Sequence, residues 1–156
     1  MRLALYQPDI PQNTGTILRM AACLGVPVDL IGPAGFDWSD RGLKRAGLDY
    51  LGAADLTRHP GWTSFVQATT GRLVLLTTRA DATYTSFRFA SCDVLLLGRE
   101  SQGVPAAVHA AAAARIRIPM RTGLRSLNVA VAGAMVLGEA LRQIGGFPVP
   151  DNGLAR

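Results

Sequence analysis

Three polar loops rich in small residues carry the side chains best suited to chemistry. They read TTRADATY (77–84), GRESQGVP (98–105) and PMRTGLRSLN (119–128), and each follows an apolar stretch typical of a strand. Gly98, Gly103 and Gly123 permit a positive φ or close approach of the backbone to a ligand. Such loops suit a flat adenine and a flexible tail held by backbone groups. Any one of these glycines could instead serve only a turn, but that interpretation weakens when the three loops are taken together.

Other chemistries lack their sequence signatures. The chain contains no GxxxxGK[ST] phosphate loop, no GxGxxG fingerprint and no GxSxG nucleophile motif. His59 and His109 stand alone, without a cysteine or carboxylate at ligand spacing, so we predict no metal site. We expect His109 to be a surface or packing residue, whereas His59 lies just before a predicted helix and could touch a ligand. Cys23 and Cys92 also lack partners at ligand spacing, and we expect both to pack in apolar surroundings.

The charge balance points toward a polyanionic partner. The chain has 16 Lys and Arg against 11 Asp and Glu, with a net charge of +5, and Lys44 is its only lysine. Arginine favours phosphate because its planar fork binds two oxygens at once. A genome bias toward arginine codons would give the same composition, so charge alone leaves nucleic-acid binding open.

Strands and helices alternate along the sequence in a way that predicts an α/β domain. Several strand-like runs are continuously apolar, as expected for parallel strands covered on both faces. The predicted strands are 2–6, 28–32, 72–78, 93–98 and 115–119. The predicted helices are 13–24, capped by Asn13 or Thr14, 62–69, 105–114, and 126–145, capped by Ser126. Ligands of open parallel sheets bind beyond the carboxyl ends of the strands, which is where all three loops fall.

The whole chain, 1–156, is expected to form a single domain with a loose tail at 147–156. No uncharged apolar run reaches the roughly 18 residues that a membrane span needs. The amino-terminal residues turn polar too early for a signal peptide. We therefore expect a cytoplasmic protein without disulfides and without a membrane partner.

Four segments in order carry a resemblance to a known family. They are LYQPDIPQNTGTILRMAACLG (5–25), GFDWSDRGLKRAGLDYL (35–51), LLGRESQGVP (96–105) and IRIPMRTGLRSLNVAVAGAMVLGEAL (116–141). The chain resembles the SPOUT-superfamily RNA 2′-O-methyltransferases, and the second segment is similar to that of the TrmL-like tRNA enzymes. The resemblance covers about the first 145 residues of the chain.

The resemblance implies a mainly parallel sheet flanked by helices, the SPOUT fold, with a C-terminal trefoil knot. It implies S-adenosylmethionine as cofactor, S-adenosylhomocysteine as product, and a homodimer whose interface lies beside the cofactor. The implied substrate is the wobble nucleotide, cytidine or modified uridine 34, of leucine tRNAs. The alternatives are a SPOUT enzyme for another tRNA or rRNA site, or a catalytically weak RNA-binding protein.

The resemblance also assigns roles to individual residues. The implied cofactor contacts are Leu76, Gly98, Ile118 and Ser126, with Met120, Leu127 and Asn128 beside them. The implied catalytic residues are Arg19, Asn13 and Glu100. The implied RNA-binding patch consists of Arg41, Lys44 and Arg45, extended by Arg121 and Arg125.

Two of these assignments carry open alternatives. Arg19 stays protonated, so we expect it to orient a phosphate and polarise the 2′-hydroxyl rather than accept a proton. Glu100 either pairs with Arg99 on the surface or lies in the site, near the sulfonium or gripping a neighbouring loop.

Relatives commonly have polar residues where this chain has Ala130 and Val131, which is a departure that could mark a decayed site.

Overall fold

A computed structural model describes residues 1–39, 41 and 52–149 of the chain. The described strands are β1 (Arg2–Tyr6), β2 (Val28–Ile31), β3 (Leu56–His59), β4 (Arg72–Leu76), β5 (Asp93–Leu97) and β6 (Ala114–Ile116). The described helices are α1 (Pro11–Leu24), α2 (Trp62–Ala68), α3 (Ala106–Ala111) and α4 (Val129–Ile144). Lys44, Arg45 and residues 150–156 of the predicted tail lie outside the described residues.

The strands form one sheet in the order β3-β2-β1-β5-β4-β6, and every pair of neighbours is parallel. The predicted α/β class, a mainly parallel sheet flanked by helices, is therefore confirmed. Sequence analysis missed β3, whose residues read LTRH and include an exposed Thr57 and Arg58. This strand lies at the end of the sheet and pairs only with β2, so it lacks the continuous apolar run of a central strand.

The central strands are buried on both faces. In β1, Leu3 and Leu5 pack in the cluster that includes residues of α1 and α4, while Ala4 and Tyr6 pack in the cluster beneath α2 and α3. All five residues of β5 are buried. Burying a leucine side chain contributes about 1.5–3 kcal/mol relative to exposure, so these strands hold the sheet together. Their carboxyl ends are consequently fixed points from which the loops depart.

The helix starts differ from the predicted caps. The first helix begins at Pro11 after Ile10, whose side chain makes no capping bond, so Asn13 and Thr14 lie within its first turn. Proline fits there because its missing N–H would have had no helical partner. The last helix is capped by Asn128 rather than Ser126: Asn128 Oδ1 accepts hydrogen bonds from the N–H groups of Ala130 and Val131 at 2.9 and 3.3 Å.

Both cysteines are exposed, which contradicts the expected apolar packing. The buried residues of α1 include Ile17, Leu18 and Ala21, so Cys23 falls on the opposite face of the helix. Cys92 lies in the turn that precedes β5. Among residues 1–39, 41 and 52–149, no helix has the length and apolarity that crossing a membrane requires.

Candidate functional site

A cavity of about 480 Å³ opens at the carboxyl edge of the sheet. Its size is within the usual range for a site that binds a small molecule. Strands β5, β4 and β6 are neighbours, so the loops that follow them meet at this edge. The cavity is lined by all of the predicted cofactor residues, namely Leu76, Gly98, Ile118, Met120, Ser126, Leu127 and Asn128.

The loop after β5 is closed by its own backbone. Arg99 N–H donates to Gly103 O at 3.0 Å, and Gly103 N–H donates to Arg99 O at 2.7 Å. Gly103 has a φ of 69°, a region that favours glycine. A Cβ at Gly98 would lie 3.0 Å from backbone atoms of Gly103, a tight contact, so the turn itself favours glycine at 98. The close approach at Gly98 is therefore to Gly103, whether or not a ligand is also present.

A chain of hydrogen bonds joins the loop after β1, the loop after β5 and the start of α4. We call Asp9, Asn13, Glu100 and Asn128 the loop network. Glu100 Oε2 accepts from Asp9 N–H at 3.1 Å, and Glu100 Oε1 accepts from Asn13 Nδ2 at 3.2 Å. Asn128 Nδ2 then donates to Asn13 Oδ1 at 2.9 Å. The three segments are thus held in one arrangement by side chains that are far apart in the sequence.

Asp9 and Glu100 are joined by hydrogen bonds in both directions, each carboxylate accepting from the backbone N–H of the other residue. Glu100 N–H donates to Asp9 Oδ1 at 3.2 Å, while Arg99 Nε donates to Asp9 Oδ2 at 3.0 Å and the Ser101 hydroxyl also bonds to Asp9. Hydrogen bonding with the Glu100 side chain, followed by that with Ser101 and Arg99, lowers the pKa of Asp9. Burial, followed by hydrogen bonding with Asp9, raises the pKa of Glu100. The negative charge of the pair is therefore concentrated on Asp9, beside the guanidinium.

The hydrogen bonds of Glu100 connect it to a neighbouring loop and not to the Arg99 side chain. The partner of Arg99 is Asp9, and both Glu100 oxygens accept bonds from the segment that contains Asp9 and Asn13. Glu100 therefore grips a neighbouring loop. Asp9 was not among the predicted residues, although it follows the carboxyl end of β1, where the strand-end rule also applies.

The remaining predicted residues lie outside the cavity lining. Arg19 is exposed on α1, six positions beyond Asn13, which itself lines the cavity together with Glu100. A separation of six residues is about 9 Å along a helix and turns the side chain to another face. Arg41, Arg121 and Arg125 are also exposed. The predicted residues thus divide into a group that lines the cavity and a group of exposed arginines that does not.

The departures at Ala130 and Val131 do not disrupt the loop network. Ala130 is 5% exposed and packs in the core, and Val131 is 51% exposed. Asn128 bonds to their backbone N–H groups, which any side chain at these positions leaves in place. Capping and the contact with Asn13 are therefore intact despite both replacements.

The two histidines lie in different surroundings. His59 is buried, and its Nε2 lies 2.8 Å from Asp29 Oδ1, so it contacts Asp29 and does not line the cavity. His109 lines the cavity and accepts a hydrogen bond at Nδ1 from Arg115 Nε at 3.1 Å. Within the described part of the chain, no group of three or more His, Cys, Asp or Glu side chains could hold a metal ion.

An apolar patch borders the cavity. We define it as Ile10, Leu124, Leu127, Val131 and Met135, which are between 39% and 66% exposed. Ile10 and Leu127 also line the cavity, while Val131 and Met135 lie one turn apart on α4. Exposed apolar surface next to a cavity is typical of a binding surface.

Known proteins resemble the chain over most of its length. Residues 1–138 match the model of the SpoU rRNA Methylase family. The tRNA (cytidine(34)-2′-O)-methyltransferase of Beijerinckia indica is 63% identical over 146 residues, which cover 92% of this chain and 91% of that protein. The protein of the same name from Escherichia coli K12 is 40% identical over 148 residues, covering 93% of this chain and 94% of its own length.

Solved structures show the same architecture. One, described as giving insights into the 2-OH methylation of C/U34 on tRNA, superposes with a TM-score of 0.86 at 44% identity, covering 93% of this chain and 96% of its own. Another is the SpoU methyltransferase AviRb from Streptomyces viridochromogenes in complex with the cofactor AdoMet. Its TM-score is 0.80 at 26% identity, covering 92% of this chain and 60% of its own.

Proposed function

The chain belongs to the SpoU rRNA Methylase family, and from that premise we propose that it methylates the ribose 2′-hydroxyl of the tRNA wobble nucleotide, cytidine or modified uridine 34. The observation that carries the proposal is the 63% identity, over 92% of the chain, with a tRNA (cytidine(34)-2′-O)-methyltransferase. Leucine tRNAs are the proposed substrates, as the resemblance of the segment at 35–51 implies.

The cavity fits S-adenosylmethionine. Its volume of about 480 Å³ suits a ligand of that size, and its lining combines apolar side chains with the polar loops after β4, β5 and β6. Leu76 and Ile118 would hold the adenine through backbone groups, and Gly98 and Ser126 would contact the rest. When bound, the cofactor supplies an electrophilic methyl group on a sulfonium. No metal enters this proposal.

The residues of the loop network position the cofactor loops. Asn13 and Glu100 hold the loop after β5 against the start of α1, and Asn128 ties both to α4. Since both Glu100 oxygens already accept bonds from the protein, we assign this residue to positioning and not to proton transfer. Arg19 orients the phosphate next to the reacting ribose and polarises the 2′-hydroxyl, because a guanidinium donates hydrogen bonds and does not readily accept a proton. Much of the rate then comes from aligning the hydroxyl with the methyl group.

A homodimer is the proposed assembly, and the apolar patch supports it. A second copy would cover Leu124, Leu127, Val131 and Met135, which are otherwise exposed to water. Because the patch borders the cavity, dimer formation would also enclose the cofactor. The C-terminal trefoil knot remains a prediction from the family resemblance.

The tRNA would contact exposed arginines outside the cavity lining. Arg41, Arg121 and Arg125 form the described part of the proposed patch, to which Lys44 and Arg45 belong by prediction. Each phosphate contact releases counterions, so replacing Arg121 and Arg125 by alanine should reduce the salt dependence of tRNA binding. Filter binding at several salt concentrations measures this slope.

Mapping the methylated nucleotide tests the function. The protein is incubated with leucine tRNA and isotopically labelled S-adenosylmethionine, and the labelled position is found by nuclease digestion and mass spectrometry. We expect label only at the 2′-oxygen of nucleotide 34, and a tRNA already methylated there should accept none. Arg19→Ala should keep cofactor affinity but transfer methyl at least about 100-fold more slowly, a loss of about 2.7 kcal/mol. Label at another nucleotide or on ribosomal RNA alone would contradict the proposed substrate.

A further inference from the structure

Four exposed arginines lie on the two loops that follow the neighbouring strands β4 and β6. We call them the β4–β6 basic surface: Arg79, Arg117, Arg121 and Arg125. The segments 77–84 and 117–128 contain these four arginines and one acidic residue, Asp81, which gives a net charge of +3, against +5 for the whole chain. Much of the excess positive charge is therefore concentrated at one end of the sheet, where it attracts polyanions.

The charge of this surface is not neutralised by the described residues. Within the part of the chain that the structure describes, none of the four guanidinium groups makes a salt bridge or a hydrogen bond. The arginines at the amino ends of the strands differ, since Arg2 is paired with Asp29 and Arg72 with Asp93. A guanidinium without a carboxylate partner keeps its planar fork available for two oxygens of an external phosphate.

Backbone hydrogen bonds hold the two loops side by side. Arg117 N–H donates to Ala82 O at 2.9 Å, and Tyr84 N–H donates to Arg117 O at 2.9 Å. Both bonds join Arg117 to the loop that carries Arg79. Replacing either arginine side chain leaves these backbone bonds in place, so substitutions can test the charge without separating the loops.

The β4–β6 basic surface begins at the cavity. Arg79 lines the cavity together with Thr77 and Thr78 of the same loop, whereas Arg117 lies outside the lining. An RNA strand carries one phosphate for each nucleotide, so a strand whose ribose reaches the cavity brings phosphates to the residues around it. Phosphate contacts of this kind fix the register of a strand on a protein.

We propose that Arg79 and Arg117 bind phosphates of the tRNA strand that contains nucleotide 34. Arg79 binds the phosphate nearest the methylated ribose, because it lines the cavity, and Arg117 binds one farther along the strand. The inference rests on the proposed function, which supplies the tRNA. Arg19 and Arg41 follow β1 and β2, on the other side of β5, so the tRNA is held from both sides of the cavity. Arg79 and Arg117 position the strand and take no part in methyl transfer.

The salt dependence of tRNA binding tests the surface. Filter binding gives the affinity of the intact protein and its variants for leucine tRNA over a range of salt concentrations. The slope of log affinity against log salt should become shallower by about 0.7 in Arg79→Ala and again in Arg117→Ala, because each phosphate contact with a single strand contributes about that much. We expect the affinity at physiological salt to fall up to about fivefold for each substitution.

Arg88→Ala is the control for loss of one positive charge. Arg88 is exposed and its side chain has no ion-pair partner among the described residues, but it precedes the amino end of β5. Its substitution should change the slope by less than about 0.2. Arg79→Lys and Arg117→Lys keep the charge and should keep the slope of the intact protein. Urea unfolding without ligand shows that each variant folds.

Neutral phosphate analogues locate each contact. Leucine tRNAs are assembled with a single methylphosphonate, which removes one negative charge, at successive positions on both sides of nucleotide 34. One position should weaken binding to the intact protein up to about fivefold and have no effect in Arg79→Ala, because the contact that it removes is already absent. A second position, farther from nucleotide 34, should behave in the same way with Arg117→Ala.

Unchanged salt slopes in both alanine variants would overturn the proposal, as would methylphosphonate penalties of the same size in the variants and in the intact protein. If Arg79→Ala bound S-adenosylhomocysteine more weakly in calorimetry but kept its salt slope, Arg79 would hold the cofactor's carboxylate and its assignment to RNA would be wrong. Shallower slopes together with methylation at another nucleotide would support the surface and refute only the proposed substrate. If the intact protein bound no tRNA at all, the proposed function itself would be wrong.

Discussion

Polar side chains pair within the sheet at the amino ends of its strands but between separate loops at the carboxyl ends. We call these two sides the amino edge and the carboxyl edge. At the amino edge, Arg72 Nε and Nη2 donate to the two oxygens of Asp93 at 2.7 and 2.8 Å, and Arg2 makes a similar pair with Asp29. Arg72 and Asp93 are directly opposite each other in neighbouring strands, so the sheet itself fixes their geometry. At the carboxyl edge, the loop network joins segments that no strand pairing connects. The first arrangement stabilises the fold, whereas the second one shapes a cavity.

Breaking an amino-edge ion pair should have the largest effect. Asp93 is 1% exposed and also accepts a hydrogen bond from Ala90 N–H at 2.8 Å. Asp93→Ala leaves these donors without their acceptor, so we expect the free energy of unfolding to fall by about 3 kcal/mol. Urea unfolding measures the fall. Affinity for S-adenosylhomocysteine should stay within about twofold of the intact protein, and a tenfold loss would show that the two edges are not independent.

Breaking the loop network at Glu100 should reduce ligand affinity more than stability, which is the reverse of the effect expected for Asp93→Ala. Glu100→Ala frees the loop after β5 from Asp9 and Asn13, so the cavity is less well organised before the ligand binds. We expect about tenfold weaker binding of S-adenosylhomocysteine by calorimetry, with a smaller loss of stability than Asp93→Ala causes. Glu100→Gln is the matched control, because it keeps one acceptor oxygen. Its affinity for S-adenosylhomocysteine should lie between that of the intact protein and that of Glu100→Ala. Unchanged affinity in Glu100→Ala would contradict the positioning role.

Asn128 contributes both to stability and to the cavity, because it caps α4 and also donates a hydrogen bond to Asn13. Asn128→Ala removes the cap of α4 and the contact with Asn13, and should lower the free energy of unfolding by about 1 kcal/mol. Asn128→Asp retains an oxygen that can accept from the N–H groups of Ala130 and Val131 but loses the donor to Asn13. Its stability should therefore return to that of the intact protein, while its cofactor affinity should remain reduced. Recovery of both properties would mean that only the cap matters.

The smallest effect is expected in the pH dependence of stability. The pKa of Asp9 is lowered, chiefly by hydrogen bonding with the Glu100 side chain. A lowered pKa contributes stability above the unfolded value of about 4, and this contribution is lost as the pH falls through the folded value. Asp9→Asn should thus be less stable than the intact protein at pH 6, by less than about 1 kcal/mol because the Arg99 side chain that pairs with Asp9 is 32% exposed to solvent.

The measurement for Asp9 is urea unfolding across the acid range. The difference between the intact protein and Asp9→Asn should narrow as the pH falls below about 4. The pKa of Glu100 is raised by burial, and so its own contribution runs the other way, favouring the fold at low pH and disappearing as the pH rises. A difference that widens on acidification would contradict the lowered pKa of Asp9.

Much of the fold was predictable because the central strands are continuously apolar. Sequence analysis located β1, β2, β4, β5 and β6, since burial on both faces leaves a clear pattern. It failed at β3, where a polar sequence forms a strand only because β2 offers hydrogen bonds along its edge. It also misplaced the caps at Asn13, Thr14 and Ser126, because several residues near each helix start were chemically able to cap it.

The site was predictable to the extent that strand ends define it. The rule for parallel sheets located three loops, and the resemblance supplied residues that the structure brings to one cavity. Neither could supply the contact of Glu100 with Asp9 or that of Asn13 with Asn128, which depend on how separate loops approach one another.

The hydrogen bond between Asn13 and Asn128 spans 115 positions of the sequence, and this has a consequence for synthesis on the ribosome. While the chain is being made, the first five strands can emerge and pair before Ser126, Leu127 and Asn128 have been added. The cavity lacks its final wall until then, since those residues line it. Binding competence is therefore acquired late in translation, and a ribosome that stalls before Asn128 would hold a nascent sheet without a finished pocket.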